Sequence, residues 1–308
     1  MQINPDVDLV LERTLNAPPA LVWRCWTEPA LICQWFCPKP WHVSEAVTDL
    51  RAGGRFFTLM NGPGGEKVPN EGSFLEVVAP SKLVFTDILA EDFAPMAELE
   101  SGAGLRFVAI VTFTPNGDGT DYRAVVRHRN AADAKAHAQM GFHQGWGSAA
   151  DQLEDLAQTL MRQERQITLT RLIHASAENV WRCWTDPMLL PHWFGPEGFS
   201  CTTKEIDLRQ GGQWRFDMLG PDGTVWPNRH RFTLYDPKTR IEFLMDADSD
   251  AHPPMQVQVT LIPERAATRL TQTIAFPTPE ARQSALAYGA DRLGMQTHAK
   301  LAAVAEAL

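Results

Sequence analysis

The sequence predicts an α+β protein made of one unit written twice. Three observations carry this reading. The peptide Val22-Trp23-Arg24-Cys25-Trp26-Thr27 returns as Val180-Trp181-Arg182-Cys183-Trp184-Thr185, an offset of 158 residues (180 − 22). Residues 12–85 align with residues 170–243 at that offset without a gap, with 26 identities in 74 positions, and the matched tryptophans make chance an inadequate explanation. Within each copy the pattern runs from strand to short helices, through several strands separated by turn residues, to one long helix. Strands segregated from helices in this way describe a sheet with one face covered, rather than alternating βα units. A fixed repeat of this length indicates a duplicated domain, not a solenoid. Domains are expected at 1–162 and 163–308, and units of this size bury a core without staples.

Residues 6–15 alternate, with Val7, Leu9 and Leu11 on one face, and Ile167, Leu169 and Ile173 repeat the pattern in the second copy. A helix follows. Ser176 is a natural N-cap, with Glu178 in a first turn that favours a carboxylate. Val180, Cys183 and Trp184 share a face at helical spacing, as do Val22, Cys25 and Trp26. Residues before proline leave the α region, so this helix ends at Thr185, and Asp186-Pro187 opens a second short helix reaching Trp193. Strands are expected over 42–50, 55–60, 74–78 and 83–88. Gly53-Gly54 and Gly62-Pro63-Gly64-Gly65 turn the chain between them, and the second copy has Gly211-Gly212 and Gly220-Pro221-Asp222-Gly223. A longer loop over 90–104 in the first copy shifts the offset to 148, the spacing of Val111 and Val259. A last hairpin, over 105–114 and 122–127, precedes the closing helix. Its apolar stripe is Leu153, Leu156 and Leu160 in the first copy and Leu286, Leu293, Thr297, Leu301, Val304 and Leu308 in the second. Residues 161–165 form a short connector.

Net charge of −9 and a pI near 5.5 argue against nucleic acid or an anionic membrane as partner, since both require a basic face. Apolar runs such as 107–111 fall far short of a membrane span. The opening residues lack the regions of a signal peptide, and five cysteines without paired spacing suggest reduced thiols, so a cytoplasmic protein is expected.

The Asp49-Leu50-Arg51-Ala52-Gly53-Gly54 turn, the Trp-x-x-Trp-Thr-x-Pro helix, the segment from Phe74 through Ala79-Pro80-Ser81-Lys82 to Thr86, and His143-Gln144-Gly145-Trp146 with Leu153 together resemble one family. It is the family similar to the C-terminal domain of the activator of the ninety-kilodalton heat-shock protein ATPase, within the SRPBCC superfamily. The resemblance implies a START-like, birch-pollen-allergen-like helix-grip fold in each half: a curved antiparallel sheet wrapped around a long C-terminal helix, with a ligand cavity between them. It implies no obligatory cofactor and leaves a chaperone partner as one possibility. The second copy departs from the pattern, with Leu293-Gly294 for Gly145-Trp146 and Arg229-His230-Arg231 for Glu71-Gly72-Ser73.

The expected ligand is a small hydrophobic or amphipathic molecule, with one cavity per domain. Candidate pocket residues are Trp35, Phe36, Trp41, Met140, His143 and Gly147 in the first copy, and Trp193, Phe194, Phe199 and His230 in the second. The two Trp-Phe pairs end the second short helix, where a helix-grip cavity opens. Met140, His143 and Gly147 share a helical face whose small residues leave room for a ligand. Alternation puts His230 on the face opposite Arg229 and Arg231. Trp23, Trp26, Trp181 and Trp184 are expected in the core, as are Cys25 and Cys183. A cyclase- or hydrolase-type enzyme is the alternative. It needs two ionisable groups converging in one cavity, for which His143, Asp151, Arg127 and His230 are candidates. A co-chaperone is a third. Cys33, Cys37 and His42 match no zinc spacing, so no metal or other cofactor is expected.

Overall fold

The structure, a computed structural model, describes residues 2–96 and 106–308. Gly102, Gly104 and Leu105 of the expected loop and following strand lie outside these residues. The chain divides into two compact units, Met1–Met161 and Arg162–Leu308.

In the first unit β1 (Asp8–Leu15) leads into α1 (Pro19–Thr27) and α2 (Pro29–Trp35). Then come β2 (His42–Thr48), β3 (Arg55–Asn61), β4 (Lys67–Val78), β5 (Lys82–Thr86), β6 (Phe107–Asn116) and β7 (Gly119–His128), followed by α3 (Ala131–Gln139) and α4 (Phe142–Arg165). The seven strands form one antiparallel sheet in the order β1-β7-β6-β5-β4-β3-β2. The second unit repeats this as β8 (Gln166–Ile173), α5 (Ala177–Thr185), α6 (Leu190–Trp193), β9 (Ser200–Ile206), β10 (Gln213–Leu219), β11 (Val225–Asp236), β12 (Arg240–Asp246), β13 (Met255–Glu264), β14 (Ala267–Ala275), α7 (Pro279–Ala287) and α8 (Ala290–Glu306). Its order, β8-β14-β13-β12-β11-β10-β9, is the same. Both units have the helix-grip architecture.

Small details recur with the residues. Trp35 Nε1 donates to the Cys25 carbonyl at 2.9 Å, and Trp193 Nε1 to that of Cys183 at 2.9 Å. Trp26 meets Trp35 edge-on at 4.9 Å, and Trp184 meets Trp193 at 4.8 Å. Ser176 accepts from Asn179 N–H, as an N-cap should. Gly53 and Gly211 turn the chain with φ of +78° and +81°, a region costly for other residues. Cys25 and Cys183 are buried beside these rings, and burial pushes their thiols up to about 12 and 11, so neither supplies a thiolate.

The closing element differs from the expectation. It is two helices in each unit, broken at Gly141 and Gly289, whose φ values are +95° and +90°. These glycines are related by the same offset of 148 (289 − 141). The extra helices are capped, α3 by Asn130 accepting from Asp133 N–H and α7 by Thr278 accepting from Ala281 N–H. Leu286 therefore sits on α7 and not on the stripe of α8.

Candidate functional site

Between sheet and helices the first unit holds a partly open pocket of about 290 Å³. Its floor is the concave face of β3 to β5, with Phe56, Thr58, Met60, Asn70, Gly72, Phe85 and Thr86. Trp26, Trp35, Phe36, Cys37 and Pro38 close it from the first two helices. Gly145, Trp146 and Ala149 of α4 form the roof, and Tyr122, Phe107, Asp87 and His137 complete the wall. Gln152 secures the rim, its amide donating to the carbonyls of Trp35 and Cys37 at 2.8 Å each.

Space remains because small side chains stand where α4 faces the sheet. A Cβ built on Gly145 would meet nothing within 4 Å. The second unit has Leu293 and Thr297 in place of Gly145 and Ala149, Phe216 in place of Thr58, and His230 in place of Gly72. Rings occupy the corresponding region there. Trp214 stacks on Phe216 at 3.8 Å, His230 stacks on Phe243 at 4.5 Å, and Phe194 packs edge-on against Trp214, Phe216 and His230. Trp214, Phe216 and Phe243 are at most 1% exposed. A cavity was expected in each domain; at the positions that border the first, the second carries packed aromatic rings.

The polar groups of the first cavity are mostly acceptors. The Glu71 side chain lies on the other face of the sheet, with Arg55 and Phe57: it accepts two hydrogen bonds of 2.7 Å from Arg55, whose guanidinium is 4.5 Å above the Phe57 ring. Asp87 accepts from Phe107 N–H at 2.8 Å, and burial pushes its carboxyl above the usual range against the pull of that bond and of Arg106. His137 lies parallel to Phe107 at 5.8 Å, and its Nδ1 is 2.9 Å from His128 Nε2. His128 Nδ1 is in turn 3.1 Å from the Val7 carbonyl oxygen. Burial, the chief cause, pushes His137 down to about 4, so it is uncharged at neutral pH. The indole N–H of Trp26 has no partner, but neither does that of Trp184 in the ring-filled unit. That feature therefore belongs to the seat of the tryptophan and not to a ligand.

Trp35 and Phe36 line the cavity. Trp41 stands by Gly62 in the β3–β4 turn, and Met140 and His143 are exposed. Gly147 is buried beside the Arg13 guanidinium. In the second unit Trp193, Phe194 and His230 are buried in the ring cluster, and Phe199 is half-buried, its carbonyl accepting from Lys300. Arg127 is held by Asp8 through two bonds of 2.8 Å, Asp151 is exposed, and Arg229 and Arg231 both reach Asp246. The geometry thus brings Trp35 and Phe36 together with His137, Asp87, Tyr122 and Gly145, none of which was singled out for the pocket from sequence. His137 sits on α3, the helix the periodicity did not reveal. The available signals were the capping pair Asn130–Asp133 and the break at Gly141.

Among solved structures, a protein from Nitrosomonas europaea is 40% identical over 51% of this chain and 98% of its own, with a TM-score of 0.49. One from Mycobacterium smegmatis is 26% identical over 47% and 94%, with a TM-score of 0.44. The di-domain ARO/CYC protein BexL from the BE-7585A biosynthetic pathway covers 97% of this chain and 98% of its own at 14% identity, with a TM-score of 0.39. No curated protein matches. Among the described residues no helix is long and apolar enough to cross a membrane. Residues 16–158 and 174–306 each match the family described as activator of Hsp90 ATPase homolog 1-like protein, so the chain belongs to that family, in two tandem copies.

Proposed function

We propose that the protein binds one small, largely apolar molecule in the cavity of its first unit, and that the second unit is a closed partner of the same fold. The observation that carries this is the contrast at equivalent positions: an aromatic-lined space of about 290 Å³ in one unit and packed rings in the other. A concave, mostly apolar space with a few fixed polar groups is the usual form of a small-molecule site. His137 and Asp87 also line this space, as a catalytic reading would require. Binding is favoured because a ring with a pKa near 4 is a weak base at neutral pH. Native mass spectrometry with 2-naphthol as probe tests the proposal. One equivalent should bind per chain and be lost in Gly145→Leu, which fills the roof. Two equivalents, or binding that survives this variant, would overturn it.

A further inference from the structure

We propose that His137, held in one tautomer by His128, makes the cavity selective for uncharged ligands that donate a hydrogen bond, such as a phenol or an alcohol, over equally sized ligands that lack the donor. This rests on the cavity of the first unit being a binding site. The argument starts at the Val7 carbonyl, which can only accept. His128 Nδ1, 3.1 Å away, therefore carries the proton. With the His128 ring uncharged, its Nε2 presents a lone pair. His137 Nδ1, 2.9 Å from it, must donate. That leaves Nε2 of a neutral His137 as an acceptor, on a ring that lines the cavity. Burial supports the neutral form of His137. The ring is also fixed in place, lying parallel to Phe107 at 5.8 Å and edge-on to Phe142 at 5.1 Å. Asp87, in the same wall, offers a further acceptor and disfavours an anion. The second unit has Phe276 and Ala285 at the positions of His128 and His137, so the relay accompanies the open cavity.

A neutral acceptor in an apolar wall discriminates strongly. A ligand without the donor leaves it desolvated and unpaired, whereas a ligand bearing the donor satisfies it. Three probes of one shape separate the cases: naphthalene, 2-naphthol and 2-naphthoate. In the full chain 2-naphthol should bind about tenfold tighter than naphthalene, the effect of one neutral hydrogen bond, and 2-naphthoate weakest. His137→Phe keeps a ring against Phe107 and removes the acceptor, so the naphthol-to-naphthalene ratio should fall to near one while naphthalene affinity stays within about twofold. His128→Phe, which copies the second unit, frees the tautomer of His137 and should reduce the ratio part of the way. It serves as an independent readout if His137→Phe folds poorly. A ratio unchanged in both variants, or tightest binding of 2-naphthoate, overturns the selectivity while leaving the cavity reading intact. No binding of any probe overturns both.

Discussion

The two halves share strand order, turns and the tryptophan pair, yet at equivalent inward positions one borders a pocket and the other packs rings. Thr58, Gly72 and Phe56 in the first unit stand where Phe216, His230 and Trp214 stand in the second. All six lie on β3 and β4 or their counterparts β10 and β11, where Phe56 pairs with Gly72 and Trp214 with His230. A fold can thus be duplicated intact while its interior is rewritten at a few inward positions, because backbone geometry depends on turns and alternation and not on which ring fills the middle.

The largest test of this contrast is removal of volume. Phe216 is fully buried, stacked on Trp214 and packed against Phe194 and His230, so Phe216→Ala should destabilise by about 3–5 kcal/mol. Thr58→Ala, at the matching site of the first unit, borders existing space and should cost no more than about 1 kcal/mol. Chemical denaturation of the full chain checks both. Equal losses would mean that the second interior is no better packed than the first.

Acidification should separate the units next. His230 and His298 in the second unit are pushed down to about 3 and about 4, and His137 in the first to about 4, in each case chiefly by burial. Each ring folds neutral, so the unfolded chain binds the proton more readily. Stability is complete above the ordinary value of 6.5 and falls as pH drops from there toward 4. Each histidine can withdraw on the order of 2 kcal/mol across that window. With two such rings against one, the second unit should lose hydrogen-exchange protection first as pH falls from 6.5 to 4. Peptide-resolved exchange of the full chain would show earlier loss in the first unit if this is wrong.

Gly145→Leu sharpens the comparison from the other side. The new side chain enters open space on α4 and replaces the poorest helix former short of proline. Stability of the first unit should rise by about 1 kcal/mol as binding is lost, a pairing that distinguishes a blocked site from a broken fold. Lower stability with lost binding would point instead to an overpacked roof.

Much of the fold was legible in the sequence because its signals are local. Alternation, paired glycines and proline-limited helices each act within a few residues, and the repeat let one copy check the other. The site was only partly legible. Trp35 and Phe36 could be placed because they end a helix at the cavity rim. His137 could not, because α3 is short, carries little apolar periodicity and was absorbed into the long helix that follows. The chemistry of His137 also depends on His128 across a strand end, and no spacing rule brings those two rings to 2.9 Å. His143, a histidine on the expected helix, instead falls in the first turn of α4, where it is exposed.

The smallest expected effect concerns an ion pair on the outer face of the strands that floor the pocket. Arg55 and Glu71 pair bidentately, while the second unit has Gln213 and Arg229 at these positions, and Arg229 turns to Asp246. Both side chains of the Arg55–Glu71 pair keep roughly a third of their exposure, at 34% and 27%, so solvent screens them. Glu71→Ala should therefore cost about 0.2–1 kcal/mol, less in high salt, even though the geometry is good. The carboxylate stands on the sheet face opposite the pocket, so the ratio of 2-naphthol to 2-naphthoate affinity should stay within about twofold of that of the unaltered chain. A larger change in that ratio would show that the pocket reads charge through the sheet.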